Sequence, residues 1–253
     1  MKMRPMSRRN LKIVLAYDGS DFCGWQIQRR ERTVQGVVEE ALEELHGHPV
    51  RVKAAGRTDS GVHARGQVIN FETDSTIPDE RFARALNSRM PRDVRAVSAL
   101  EADGDFHARY SARKRIYKYY ILPAECSDPF SRRFCLTVKK TLDIGLLNRI
   151  AAKIVGTHDF TTFAAAGDQS KSKVRDIHSA GMYPEGQFVV FRIIGNAFLW
   201  RMVRSLTGTV LEMASEGRPP AYMTELLERK DRNMAGNTAP AKGLTLHRVV
   251  YDE

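Results

Sequence analysis

The feature that most constrains this chain is a string of hydrophobic periodicities that occurs twice. In the first half, residues 11–17 are apolar and strand-like. Thr33 caps a helix with Val34, Val37, Val38, Ala41, Leu42 and Leu45 on one face and Gly47 behind it. Residues 51–55 and 67–73 read as strands around a glycine-rich connection. Pro78 opens a helix with Phe82, Ala85 and Leu86 inward, and residues 94–100 alternate as a strand. The second half repeats this β-α-β-β-α-β order. A tyrosine-rich strand spans 113–122, and Thr141 precedes a helix with Leu142, Leu146, Leu147, Ile150, Ala151 and Ile154 inward. Strands at 174–183 and 188–194 are joined by Pro184-Glu185-Gly186. A long helix over 198–214 carries Leu199, Met202, Val203, Leu206, Val210 and Met213, an added helix covers 219–229, and a strand over 244–251 closes the string. Two split βαβ patterns predict an α+β chain of two ferredoxin-like halves, residues 1–105 and 106–253, with antiparallel sheets flanking a central cleft.

Charge separates the halves. Residues 1–105 hold 17 Lys+Arg against 16 Asp+Glu, whereas residues 106–253 hold 23 against 14, so the net charge of +10 sits almost wholly in the second half. Such an excess points to a polyanion, with nucleic acid as the simplest partner. No basic amphipathic helix with aromatic anchors favours a membrane surface instead. Ser7-Arg8-Arg9-Asn10-Leu11-Lys12 resembles a twin-arginine export signal, but the apolar run behind it is short, contains Lys12 and leads into Asp18 and Asp21. The expectation is therefore a cytoplasmic protein without a membrane span. Cys23, Cys126 and Cys135 are odd in number and lack C-x-x-C spacing, which argues against a disulfide framework or a zinc site.

The chemistry concentrates in Ala55-Gly56-Arg57-Thr58-Asp59-Ser60-Gly61-Val62-His63-Ala64-Arg65-Gly66-Gln67-Val68, where three glycines, an Asp, a His and two arginines lie between two strands. Alone, Asp-Ser-Gly describes a polar turn whose carboxylate accepts backbone hydrogen bonds. The longer string resembles, almost residue for residue, the signature of the bacterial tRNA pseudouridine synthase A family. The resemblance continues in family order along nearly the whole chain. It includes Tyr17-Asp18-Gly19-Ser20-Asp21-Phe22-Cys23-Gly24-Trp25-Gln26-Ile27-Gln28, Thr33-Val34-Gln35-Gly36 and Phe106-His107-Ala108-Arg109. It then takes in Arg115-Ile116-Tyr117-Lys118-Tyr119, the segment from Asn196 to Arg204, and Pro240-Ala241-Lys242-Gly243-Leu244.

The resemblance implies roles residue by residue. Asp59 takes the place of the family's nucleophile, and Arg204 that of the arginine paired with it. Tyr117 matches the active-site tyrosine, whose ring can stack on an extruded uracil and whose hydroxyl can assist the proton transfer from C5. Leu244 would wall the base. Arg57 and His63 would contact RNA phosphates or fix the loop, and Arg201, on the same polar helix face as Arg204, would contact a phosphate or simply be exposed. Tyr119 shares the strand face of Tyr117 and reads as packing, while Trp25 has no chemical role in this reading. Pseudouridine formation breaks one glycosidic bond and makes another to the same base, with no redox change, so no cofactor or metal is expected. A carboxylate suits the task because it can attack and leave again, and a guanidinium favours its ionised form as RNA excludes water. The residues do not distinguish attack at C1′ from attack on the ring.

The family further implies tRNA as partner, uridines 38, 39 and 40 of the anticodon stem-loop as targets, and a homodimer. Two other classes fit parts of the sequence: a non-catalytic RNA-binding protein with paired ferredoxin-like sheets, and a pseudouridine synthase with other RNA targets. The intact Arg57-Thr58-Asp59 and the lack of an RRM aromatic motif argue against the first; the short chain argues for the bacterial type over the second.

Overall fold

The computed structural model describes residues 8–139 and 141–251. These form ten strands and five α-helices, an α+β protein. The chain divides into two compact units. The first runs to Arg113 and takes back the chain from Arg248; the second spans Lys114–His247.

The first unit has the order β1 (Arg9–Tyr17), α1 (Val34–His46), β2 (Lys53–Ala54), β3 (His63–Thr73), α2 (Asp79–Asn87) and β4 (Val94–Ala102). Its strands lie side by side as β4-β1-β3-β2, antiparallel throughout. Alternation along β1 sends Leu11, Ile13, Leu15 and Tyr17 into the core, where Ile69, Phe71, Phe82 and Leu86 are also buried. Helix α1 starts where Thr33 accepts the Gly36 N–H and stops at Gly47, whose φ of 72° closes a left-handed cap onto Glu43. Its inward face differs from the apolar stripe in one respect. Val37 and Leu45 are only half-buried, while Glu39 is buried, accepting from Val52 N–H and pairing with Arg51. Strand β2 is shorter than the predicted 51–55, and β3 begins at His63 rather than 67, because β1 pairs Tyr17 with Ala64 across a bulge.

The first unit runs on through residues 106–113. Residues 106–113 stay with the first unit because its polar groups hold them. Asn10 Nδ2 donates to Phe106 O, Asn70 Oδ1 accepts from Ala108 N–H, Tyr251 Oη donates to Ala108 O, and Arg113 N–H donates to Val250 O.

The second unit contains β5 (Lys114–Pro123), β6 (Leu136–Val138), α3 (Ile144–Ala151), β7 (Gly156–Asp159), β8 (Val174–Glu185), β9 (Phe188–Gly195), α4 (Met202–Ser215), α5 (Ala221–Arg229) and β10 (Leu244–Val250), within which the chain returns to the first unit. The strand order is β10-β5-β9-β8-β7, with β6 parallel to the end of β5. Neither β6 nor β7 was expected from the sequence. Helix α3 begins at Ile144 rather than after Thr141, because the Asp143 carboxylate accepts the Leu146 N–H and caps it there. Pro184 and Glu185 pair with Val189 and Phe188, so the β-turn is centred on Gly186-Gln187, with Gly186 at a φ of 60°.

Helix α4 starts at Met202, four residues after its expected start. Upstream backbone groups are used elsewhere: Ala197 N–H bonds Asn196 Oδ1, Trp200 N–H bonds the Asp168 carboxylate, and Trp200 O accepts from Ala165 N–H. The expected inward residues of this segment, from Leu199 to Met213, are nevertheless all buried. No helix among the described residues is long and apolar enough to cross a membrane.

Candidate active site

Asp59 sits at the tip of the connection between β2 and β3, half-buried between a buried Thr58 and an exposed Ser60. The loop is held by its neighbours rather than by its own turn alone. Trp25 N–H donates to Thr58 O at 3.0 Å, and Gly61 N–H and Ser60 Oγ both reach Phe22 O at 3.3 and 3.2 Å. Gln67 Nε2 donates to Gly56 O at 2.8 Å, and Val62 N–H closes back on Asp59 O at 3.1 Å. Beneath it, the Tyr17 hydroxyl shares a buried 2.9 Å hydrogen bond with Thr58 Oγ1. Burial pushes the Tyr17 hydroxyl up to about 12, so it stays neutral.

Close approach makes this possible. Gly24 has a φ of 90°, and a Cβ there would stand 2.8 Å from Thr58 O. A side chain at Gly24 would therefore be strained and would also push the loop away. Arg57 is exposed beside Thr58. His63 is buried at the start of β3, where its Nδ1 accepts the Gly19 N–H at 3.0 Å and lies 3.2 Å from Asp18 Oδ1. Buried there, the ring is tied to the backbone at Gly19.

Tyr117, Arg204 and Leu244 belong to the second unit. Tyr117 is half-buried on β5, opposite Ile193, with its ring set edge-on to Phe198 at 5.2 Å. Two residues on, Tyr119 is fully buried and donates to Pro240 O at 2.8 Å. Arg204, in the first turn of α4, is half-buried and directs Nε to Ala239 O at 2.8 Å. Leu244 is buried at the start of β10, after a 3-10 turn at Ala241–Gly243. Gly243 packs flat on Tyr119, whose ring carbons would be 2.6 Å from any Cβ there.

Arg201 is not on the helix. It precedes α4 in the left-handed region at φ 59°, so it does not share a helical face with Arg204. Sequence reasoning also missed the residues that hold the Asp59 loop, Tyr17, Gly24 and Trp25, and the strap over 236–240 that holds Arg204. Among the described residues, no three of His, Cys, Asp and Glu converge as they would around a metal ion.

The chain as a whole, an α+β protein, has known relatives. The family model for tRNA pseudouridine synthase matches residues 13–111 and 150–252. The matched stretches contain Arg57, Asp59, His63, Arg204 and Leu244, while Tyr117 falls between them. The tRNA pseudouridine synthase A of Geobacillus kaustophilus is 44% identical over 246 residues, covering 97% of this chain and 95% of the relative. That of Moorella thermoacetica is 44% identical over 95% of this chain and 99% of the relative, and that of Treponema denticola 41% over 98% and 94%. The chain belongs to the tRNA pseudouridine synthase family.

Proposed function

We propose that this protein converts uridine to pseudouridine in tRNA, at positions 38, 39 and 40 of the anticodon stem-loop, with Asp59 as nucleophile. The reading includes a homodimer and two ferredoxin-like halves; the β4-β1-β3-β2 and β10-β5-β9-β8 orders support the latter. The observation that carries the function is the Asp59 loop. A half-exposed carboxylate is presented on backbone that five hydrogen bonds from flanking segments hold still. Orientation of this kind is what a nucleophile needs.

In the reaction the uridine is extruded onto Tyr117 and walled by Leu244. The Asp59 carboxylate adds covalently to the nucleoside and the N1–C1′ bond breaks. The base turns, and C5 joins C1′ as Asp59 departs. C5 then loses its proton while N1 gains one, so atoms balance with no external reactant. Arg204 pairs with Asp59 and keeps it ionised as the RNA displaces water. Arg57 contacts the RNA backbone from its exposed position, and His63 fixes the loop.

Pseudouridine formation in defined tRNA transcripts tests this. Asp59→Asn should bind tRNA but produce no pseudouridine. Substantial turnover by that variant would remove the nucleophile, whereas binding without turnover by the wild type would favour a non-catalytic RNA-binding protein. Tyr117→Phe separates the ring from the hydroxyl: unchanged turnover leaves stacking as the residue's whole contribution.

A further inference from the structure

The second unit presents a feature that the proposed chemistry does not use. We infer that Trp200 is a stacking platform for an unpaired nucleobase of the RNA substrate, with Arg201 contacting the adjoining phosphate. This rests on the tRNA reading above and adds a binding residue to it.

The chain has two tryptophans. Trp25 is buried, but Trp200 is 45% exposed. Its exposure is not that of a loose side chain, because the backbone beneath it is fixed on both sides. Trp200 N–H donates to Asp168 Oδ2 at 2.7 Å, and Ala165 N–H donates to Trp200 O at 3.0 Å. The ring is also located. A Cβ on Gly167 would lie 2.8 Å from Trp200 Cζ3 and 3.7 Å from each of the flanking Cε3 and Cη2. A point above the ring face at that height would be much nearer the two flanking carbons. Equal, long distances place it in the ring plane, beyond the edge. Gly167 thus holds the indole by its edge and covers no face.

Arg201 supplies a cation over the ring, with Cζ 5.0 Å from the indole centroid. Arg201 itself lies in the left-handed conformation, φ 59°, which is strained for a residue with a Cβ. Arg201 is exposed, so burial of its side chain does not offset that strain. Strain of this kind is concentrated at binding sites. The supporting loop carries two lysines, Lys171 and Lys173, against one carboxylate, Asp168. Asp168 is already paired with Lys173, and exposed Lys171 lies between them in sequence.

A rigid, half-exposed indole with a guanidinium over it and basic surroundings matches how single-stranded nucleic acid is bound. Every base has a π-face, and the cation meets the phosphate. A protein partner or a membrane would call for a contiguous apolar patch, whereas Trp200 is flanked by Arg201 and bonded to the Asp168–Lys173 pair.

The test measures Kd for a defined tRNA transcript at fixed salt with wild type, Trp200→Ala and Trp200→Phe. The alanine variant should bind about five- to a hundredfold more weakly, the range for losing one stacked base, and Trp200→Phe within about threefold of wild type. KM for tRNA should rise by more than kcat falls. Transcript should also quench wild-type tryptophan emission, and Trp200→Phe should lose that quench. If Trp200→Ala does not fold, the quench difference between wild type and Trp200→Phe decides. Wild-type turnover together with unchanged Kd in Trp200→Ala and an unquenched indole would overturn this inference alone. The same holds if Trp200→Ala alters only subunit association. Absence of both tRNA binding and turnover in the wild type would overturn the functional reading with it.

Discussion

Arg204 and Ala239 hold each other through two reciprocal bonds: Arg204 Nε donates to Ala239 O at 2.8 Å, and Ala239 N–H donates to Arg204 O at 3.1 Å. The strap around Ala239 is fixed along its length. Thr209 Oγ1 accepts from Gly236 N–H, Glu212 Oε2 from Asn237 N–H, and Pro240 O from Tyr119. It can lie this close only because residue 208 lacks a side chain; a Cβ there would be 1.7 Å from Asn237 O. Since the clash is with backbone, Gly208→Ala must displace the strap. The expected result is a loss of about 1–3 kcal/mol of stability in urea melts. Turnover at 25 °C should fall about tenfold or more, as a misplaced catalytic group would cause.

Arg204→Lys asks a sharper question of the same pair. Lysine keeps the positive charge but has neither the planar fork nor the Nε–H that reaches Ala239. If catalysis depends on the placement that the strap gives the guanidinium, kcat should fall roughly a hundredfold, with KM for tRNA much less affected. Wild-type kcat in Arg204→Lys would reduce the requirement to charge alone and make the strap a purely structural element.

Tyr17 gives a pH-dependent prediction. Its hydroxyl is raised from 10.0 to about 12 by burial, so the folded state retains a proton that the unfolded chain releases. The associated stability is fully present below pH 10 and is lost as pH rises from 10 towards 12. Buried Tyr119 shifts in the same direction. Urea melts should therefore show wild-type stability falling by about 2–3 kcal/mol per such tyrosine across that window. Tyr17→Phe should flatten part of the slope. At pH 7 the same variant should lose about 1 kcal/mol, because Thr58 Oγ1 loses its buried partner, and turnover should drop a few-fold as the Asp59 loop loosens.

What was legible in the sequence was local. Thr33 and Gly47 bracket α1 because a cap needs only residues within one turn, and the inward face of β1 follows from alternation. The start of α4 was not legible, because the groups that remove residues 197–201 from the helix include Asp168, thirty-two positions away from Trp200. Glu39 was hidden similarly. It reads as a solvent-facing helix position until the segment leading into β2 brings Arg51 and Val52 to it. In the Asp59 loop the string of residue types was legible, but the contacts that support the loop were not. Tyr17 and Thr58 meet across forty-one positions, and Trp25 acts through its backbone N–H, which no side-chain pattern reports.

Asp168 shows how such a remote support can be tested. Its side chain is 5% exposed and accepts from Lys173 Nζ, Ser170 N–H and Trp200 N–H. Burial works against its charge, but the ammonium and the two amides outweigh burial and hold the carboxyl well below the usual carboxylate range. A depressed carboxylate stabilises the fold above the unfolded value of 3.8, and that contribution is lost as pH falls through the folded value. Asp168→Asn preserves shape but leaves Lys173 without its counter-charge and weakens the hold on Trp200. At pH 7 it should cost about 1–3 kcal/mol in urea melts. In acid, below 3.8, the gap between wild type and variant should narrow as the wild-type carboxylate loses its advantage. Because the same carboxylate anchors the backbone of Trp200, Kd for tRNA should rise even at temperatures where the variant is fully folded. Destabilisation with unchanged Kd would show that the indole is positioned by Gly167 and Ala165 without Asp168.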